Sequence, residues 1–405
     1  MIKKKLLFIH QNFPGQFVHV ATELVRLGHV VVALGIKGRA LPGVQYIRYQ
    51  PKAPPTVSAI EAARDFETKV VRGLACAQVM EQLKAKGFTP DTIVAHPGWG
   101  ESLFCKDVWP AARLLMFAEF FYSAEGADYN FDPEFFHDSV SDRARLRLKN
   151  SVHLHALHAC DGGYTPTRWQ QEQLPAEYRH KLEVVFDGID TALVAPAPTA
   201  TVHLQRDKLT LSAGDEVITF VNRNLEPYRG FHVFMRALPE ILRQRPKAHC
   251  LIVGRDDVSY GSKPKAGGSW RQVMMAEVGS QLPMDRVHFL GGLPYADYLK
   301  VIQISACHVY LTYPFVLSWS CLEAMSAARV VVASRTGPVQ EVIEDGVNGL
   351  LFDFFDVAAL TRMVVQVLQD PAGHRTLGIT AREHVVEHYD LRSRCLPRQL
   401  ALVSG

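Results

Sequence analysis

Apolar residues recur along this chain in two alternating rhythms, and the alternation predicts an α/β protein. Short unbroken apolar runs at Lys5 to His10, Val30 to Leu34, Val44 to Tyr49, Thr92 to His96 and Arg113 to Ala118 read as buried parallel strands. Gly162 to Thr165 and Lys181 to Phe186 complete the set in the first half. Between them apolar positions return every three or four residues. Val18, Ala21, Leu24 and Val25 mark a helix closed by Gly28, and Ser58 to Lys86 reads as one long amphipathic helix ended by Gly87, after a proline-rich turn at Pro51 to Thr56. Thr165 to Trp169 opens a further short helix.

The second half repeats the rhythm. Val217 to Val221, His249 to Gly254, Val287 to Gly291, His308 to Tyr313 and Val330 to Ser334 are the expected strands. Phe231 to Gln244, Tyr295 to Ser305, a segment opened by Gly337-Pro338, 356–370 and 373–389 are the expected helices. Pro196-Ala197-Pro198 is a stiff connector, so the halves are expected to divide near 190. The expected domains are 1–190, 191–385 and a C-terminal helical segment, 386–405, that packs back toward the first.

Length and composition narrow the class. At 405 residues the chain exceeds one compact core, and 48% hydrophobic with 21% charged residues is ordinary for a soluble protein. A net charge of +3 argues against general nucleic-acid binding. Seven scattered cysteines without a CxxC point to a reduced, cytoplasmic setting. The start, MIKKKLLFIHQNF, has too short an apolar run for a signal peptide, and no stretch approaches the roughly 18 apolar residues that span a bilayer. The expectation is a soluble or at most peripheral protein.

Candidate chemistry concentrates where strands end. Backbone N–H groups at helix starts attract anions. Ser318-Trp319-Ser320 begins one helix, and Glu323 lies a turn inside it. Hydrogen-bonding groups plus a carboxylate suit a phosphate next to a sugar hydroxyl. Arg223 and Arg229 flank a strand-to-helix turn, where guanidinium forks suit a diphosphate; the alternative is two surface arginines. His96 and Trp99 close a strand and suit sugar contact, against a structural histidine. Gly15 sits in the first strand-to-helix turn, which lacks GxGxxG, and is either an ordinary turn residue or a point of close backbone approach. The loop from Arg255 to Ser269 is long enough for base or sugar recognition or for plain mobility. Arg143, Arg145, Arg147 and Lys149 read as a solvated helix face, with an anionic acceptor or membrane surface as the alternative. His153, His155 and His158 lack neighbouring Cys, Asp or Glu, which argues against a metal site.

One segment carries a resemblance. Leu322-Glu323-Ala324-Met325, Val331 to Ser334, Glu341-Val342-Ile343 and Gly349-Leu350-Leu351 resemble, in order and nearly in spacing, the donor-binding region of retaining family 4 (group 1) glycosyltransferases. Asp187-Gly188-Ile189-Asp190 is similar to that family's crossover between halves. The chain departs from the pattern at Phe315, where the family has a glutamate eight residues before Glu323, and at Gly337-Pro338, where it has Gly-Gly. Arg229 replaces a lysine, six residues after Arg223 rather than five.

The resemblance implies a GT-B fold, two Rossmann-like doubly wound domains facing a central cleft. It implies sugar transfer from a nucleotide-diphosphate donor of UDP or GDP type, with retention, to a saccharide or lipid-linked saccharide acceptor. Gly15, Arg223, Arg229, Leu293, Phe315, Ser318, Trp319, Ser320 and Glu323 would bind the donor, with Glu323 on the ribose and the backbone at Leu293 reading the base. Glu119 and His96 would be the catalytic-side groups, Glu119 standing where many members have a histidine. No cofactor and no metal are implied, since Asp-x-Asp is absent. A nucleotide-sugar epimerase and a catalytically silent saccharide-binding subunit are the alternatives, Phe315 favouring the second.

Overall fold

Four consecutive side chains, Leu6 to Ile9, are fully buried, which a strand achieves only when both faces of its sheet are covered. Leu7 and Ile9 pack with Ala75, Cys76 and Met80 of the helix Arg64–Ala85. Leu6 and Phe8 pack on the other face with Val20, Ala21 and Leu24 of the helix Val18–Arg26. The computed structural model, which describes residues 2–51, 60–136, 138–205 and 208–405, contains two units built this way. One is Met1–Gly188 with Arg392–Gly405, and the other is Ile189–Leu391.

The first unit holds seven parallel strands in the order Gln45–Arg48, Val30–Gly35, Lys5–Ile9, Thr92–Ala95, Arg113–Phe117, Gly162–Thr165, Leu182–Val184. The second holds six, Val287–Gly291, His249–Arg255, Val217–Asn224, Cys307–Tyr310, Val330–Ser334, Leu350–Phe352, also parallel throughout. In each, the first strand in sequence lies inside the sheet and the fourth pairs on its other side, which is the doubly wound order. The helix Phe231–Gln244 buries Phe231, Phe234, Leu238 and Ile241, and the Phe234 ring stacks on Phe220 at 4.4 Å.

Several element limits differ from the reading by pattern. The long helix starts at Arg64 behind a 3-10 turn, Glu61–Ala63; the expected start at Ser58 and the proline-rich turn from 52 onward lie outside the described residues. The strand expected from His308 is Cys307–Tyr310, because Leu311 to Tyr313 leave the ladder to meet the neighbouring loop. An antiparallel pair, Thr201–Leu204 with Leu209–Ser212, has no counterpart among the expected elements. The division falls at Gly188/Ile189 and the returning segment starts at Arg392, against expected limits of 190 and 386. That segment's helix, Leu396–Ser404, seats Leu396, Leu400 and Val403 in the core that holds Val18–Arg26.

One close approach positions the edge of the first sheet. Gly100 has φ +95, and a Cβ there would stand 2.3 Å from the Lys69 carbonyl. Gly73, facing it from the helix, would place a Cβ 2.7 Å from the Gly100 carbonyl. The turn Pro97–Trp99 and the helix Arg64–Ala85 therefore touch backbone to backbone. Gly100→Ala is expected to lower the first unfolding midpoint far more than Gly87→Ala. Gly87 has φ +84 but nothing within 4 Å, so it carries only the left-handed strain of about 1–2 kcal/mol. Equal losses in thermal unfolding would show that the backbone conformation, not the contact, is what Gly100 supplies.

Candidate functional site

In the first unit the strand order reverses between Lys5–Ile9 and Thr92–Ala95, so the loops leaving their carboxyl ends diverge and leave room for a ligand. The residues that follow these strands are His10 and His96. Asn12 N–H donates to His10 Nδ1 at 3.0 Å, which leaves the proton on Nε2 to donate to Gln16 Oε1 at 2.9 Å. The Gln16 amide in turn donates to Glu119 Oε1 at 2.8 Å. On the other side Gly98 N–H donates to His96 Nδ1 at 3.1 Å, so His96 Nε2–H faces Glu119 Oε2 at 3.2 Å. Trp99 stacks on His96 at 4.2 Å and meets His10 edge-on at 4.9 Å.

Both histidines thus serve a carboxylate. Burial and the adjoining His96 push the His10 imidazole down to about 3, so it is neutral. Burial pushes the Glu119 carboxyl up, but the hydrogen bonds it accepts from His96 and from the Gln16 amide outweigh it and hold it below the usual range. Glu119, with 30% of its side chain exposed, is an ionised acceptor with lone pairs left for further donors. Gly15 (φ +49) leaves space for the His10 ring, whose Nε2 would lie 2.4 Å from a Cβ there.

Two other expectations for this unit resolve plainly. Arg143 pairs with Asp138 and Glu125, and Arg145 with Asp142, as on a solvated face, whereas Lys149 departs from that expectation, half-buried with its ammonium 3.6 Å over the Tyr122 ring. His153 is buried against Phe121 and Tyr122, whereas His155 and His158 are exposed, so the three do not share one face.

In the second unit the order reverses between Val217–Asn224 and Cys307–Tyr310. Arg229, buried at this edge, donates from Nη1 to Thr312 Oγ1 at 2.7 Å, to the Val316 carbonyl at 2.9 Å and to the Tyr310 hydroxyl at 3.4 Å. Its guanidinium carbon lies 5.1 Å from the Tyr260 ring and 5.8 Å from Phe315. Phe315 is buried, with ring contacts to Tyr260 at 4.8 Å and Tyr228 at 5.5 Å. An aromatic cluster therefore fills the position where the family pattern has a glutamate. Arg223, next to last in its strand, is exposed, and Leu293 follows Val287–Gly291 half-buried. Ser318 N–H donates to the Tyr310 hydroxyl at 2.8 Å, the Ser318 and Ser320 hydroxyls lie 3.1 Å apart, and Trp319 opens the helix Trp319–Ser326 with its side chain exposed.

Glu323, buried inside that helix, accepts from the Tyr295 hydroxyl at 2.7 Å and the Tyr298 hydroxyl at 2.5 Å. Burial lifts its carboxyl above the ordinary range against the pull of the two hydroxyls. Tyr295 is half exposed, so one of the two hydroxyls on this carboxylate is within reach of solvent.

Residues 27–194 match the glycosyl transferase family 4 group, and residues 202–384 the glycosyl transferases group 1 family. The chain belongs to the family 4 glycosyltransferases. A GDP-mannose-dependent alpha-(1-6)-phosphatidylinositol monomannoside mannosyltransferase of Mycolicibacterium smegmatis is 27% identical over 240 residues, 55% of this chain and 56% of that protein. A D-inositol 3-phosphate glycosyltransferase of Segniliparus rotundus is 24% identical over 204 residues, 50% and 43% of the two. The chain thus spans about half the length of these relatives. Among solved structures, sucrose-phosphate synthase from Thermosynechococcus elongatus superposes with a TM-score of 0.75 at 20% identity, covering 99% of this chain and 98% of that one. Anabaena HepE in complex with UDP-glucose gives 0.67 at 17% identity, with 98% of each covered. These likenesses show the fold, GT-B.

The family pattern does not point to every group that organises these edges. Glu226 is fully buried and accepts from three successive N–H groups, Ser259 at 3.0 Å, Tyr260 at 3.2 Å and Gly261 at 2.9 Å. It anchors the long loop and so sets Tyr260 beside Arg229. Gln16 is marked in the sequence only by its position one residue beyond Gly15 in the first turn.

Glu226→Gln keeps the shape but removes the charge from acceptors of three donors, each charge-assisted bond worth about 1.5–3 kcal/mol. Faster hydrogen exchange at Ser259, Tyr260 and Gly261 is expected, and unchanged protection would remove Glu226 from that role. For Glu119, a folded pKa below the unfolded one means stability present above the ordinary glutamate range and lost as pH falls through the folded value. Acid unfolding should therefore be steeper below about pH 4.5 in the wild type than in Glu119→Gln; superimposable acid transitions would refute the shift.

Proposed function

We propose that this family 4 member transfers a sugar from a nucleotide-diphosphate donor, of UDP or GDP type, to a saccharide or glycolipid acceptor with retained anomeric configuration. The carboxyl edge of the second sheet carries the reading. There the N-terminus of Trp319–Ser326 and the Arg223 and Arg229 guanidiniums are cationic groups suited to a diphosphate leaving group, and Glu323 adjoins them in the same helix as an acceptor for ribose hydroxyls. On the first unit, Glu119, supported by His96 and Gln16, is the acceptor offered to saccharide hydroxyls, with the Trp99 ring beside it. No side chain is assigned as nucleophile; the leaving phosphate takes the acceptor's proton.

The Tyr228, Tyr260 and Phe315 rings make the wall of the sugar subsite apolar. Such a wall discriminates weakly, whereas a hydrogen-bonding site strongly rejects a sugar lacking its hydroxyl. A deoxyhexose is therefore as fitting a cargo as a hexose. No described helix is long and apolar enough to cross a membrane; we place the protein in the cytoplasm, at the membrane's inner face when the acceptor is lipid-linked.

Calorimetry against a panel of UDP- and GDP-sugars, followed by NMR of the product anomer, tests the reading. Arg223→Ala should weaken nucleotide-diphosphate binding roughly ten- to hundredfold, and Glu323→Gln should weaken ribonucleotides more than their 2′-deoxy forms. Release of free nucleotide with an altered sugar and no acceptor would make the protein an epimerase instead. Donor binding without turnover of any kind would make it a silent binding subunit.

A further inference from the structure

We propose that Tyr295 sets this site's choice between ribose and deoxyribose: its hydroxyl, held by Glu323, is the acceptor that a ribose hydroxyl meets, and Glu323 acts through it. The inference deepens the transferase reading and rests on it for placing a ribose beside the helix Trp319–Ser326.

The alternative is a ribose that bonds the carboxylate itself, and the packing opposes it. Glu323 lies between buried Leu322 and Ala324 in the helix interior, and only 6% of it is exposed. Oε1 accepts from the Tyr295 hydroxyl at 2.7 Å and Oε2 from the Tyr298 hydroxyl at 2.5 Å. Tyr298 is buried as well, at 8% exposure, whereas Tyr295 is 50% exposed. Of the three groups, only Tyr295 stands open to a ligand arriving from solvent.

Displacing Tyr295 would also be costly. Among the described residues Glu323 forms no ion pair, and what opposes its burial is these two hydroxyls. A buried carboxylate without a counter-charge depends on the hydrogen bonds it accepts, and stripping one away leaves it desolvated and underpaired. A ribose hydroxyl in place of Tyr295 would restore one bond for the one broken, with a ring to move besides.

Joining Tyr295 breaks nothing. A hydroxyl has one proton and two lone pairs. The proton is spent on Glu323 Oε1, and among the described residues no second group bonds the oxygen. Burial, then the charge and hydrogen bond of Glu323, then the charge of Asp190 push the Tyr295 phenol up, so it keeps its proton. An O–H that donates into such a network is a stronger acceptor than an isolated one. The ring is also held in place. Tyr295 is the first residue of the helix Tyr295–Gln303, directly behind Pro294. Tyr298 stands one turn on, on the same face, with its ring 5.7 Å away and inclined by 35°. Two tyrosines of one helix thus grip one glutamate of another, and the outer one presents its oxygen.

Calorimetry on the full chain with UDP and GDP, and with their 2′-deoxy and 3′-deoxy forms, tests the proposal. The wild type should bind its ribonucleotide roughly tenfold more tightly than one of the deoxy forms, since a site that bonds a hydroxyl rejects the analogue lacking it. Tyr295→Phe keeps the ring and removes the oxygen. It should weaken the ribonucleotide by that factor and leave the deoxy form unchanged, so that the preference vanishes. Tyr298→Phe takes a donor from the same carboxylate but not the exposed oxygen, so the preference should persist. A ribose that displaced Tyr295 would give the reverse: Tyr295→Phe would bind the ribonucleotide as tightly or more tightly, with the preference intact, and that result overturns the proposal. So does equal weakening of ribo and deoxy forms, the mark of a merely structural Tyr295. A wild type that binds UDP or GDP without distinguishing the deoxy forms overturns it too. These outcomes leave the transferase reading standing, whereas a wild type that binds neither UDP nor GDP would overturn that reading and the proposal with it.

Discussion

The constraint on which both units depend is the parallel sheet. All strands of such a sheet deliver their chains to the same edge, and where two adjacent strands send their connections in opposite directions, that edge opens. In the first unit the opening lies beyond Ile9 and Ala95, in the second beyond Asn224 and Tyr310. His10 and His96 are the next residues out of their strands, and Arg229 and Phe315 lie five residues beyond theirs, in the loops the strands deliver to that edge. Burial on both faces makes the sheets rigid enough for hydrogen bonds near 3 Å to repeat reliably at their edges.

Carboxylates then organise the edges. Glu119 gathers Gln16 and His96, Glu226 gathers three backbone N–H groups, and Glu323 gathers two tyrosine hydroxyls. Their electrostatics differ with their donors. Glu119 is held ionised by its imidazole neighbour, whereas Glu323, met only by neutral hydroxyls, is lifted by burial. The contrast separates a carboxylate kept charged by its hydrogen-bond donors from one that burial disfavours and two hydroxyls already share.

The strands and the family motif were legible in the sequence because each is a local pattern: unbroken apolar runs for Leu6 to Ile9 or Val330 to Ser334, and a motif within one helix for Glu323. What stayed hidden depends on partners far along the chain. Glu226 meets its three donors 33 to 35 residues later, and Lys69 meets Lys149 across 80 residues. Nothing near Phe315 in sequence announces that Tyr228 and Tyr260 enclose it. The strand at His308 ends sooner than its sequence run predicts for a related reason, since Thr312 and Tyr313 leave it to bond with the loop at Tyr228 and Arg229.

The helix Leu396–Ser404, which belongs to the first unit although it is the last part of that unit to be made, has a consequence for biosynthesis. As the chain emerges from the ribosome, the sheet around Lys5–Ile9 is complete long before its cover is. The apolar flank of Val18–Arg26 that will receive Leu396, Leu400 and Val403 stays wet until all of Ile189–Leu391 has been synthesised. Domain-by-domain folding is therefore interrupted here. The first half must wait, with one face open, while the second half folds ahead of it.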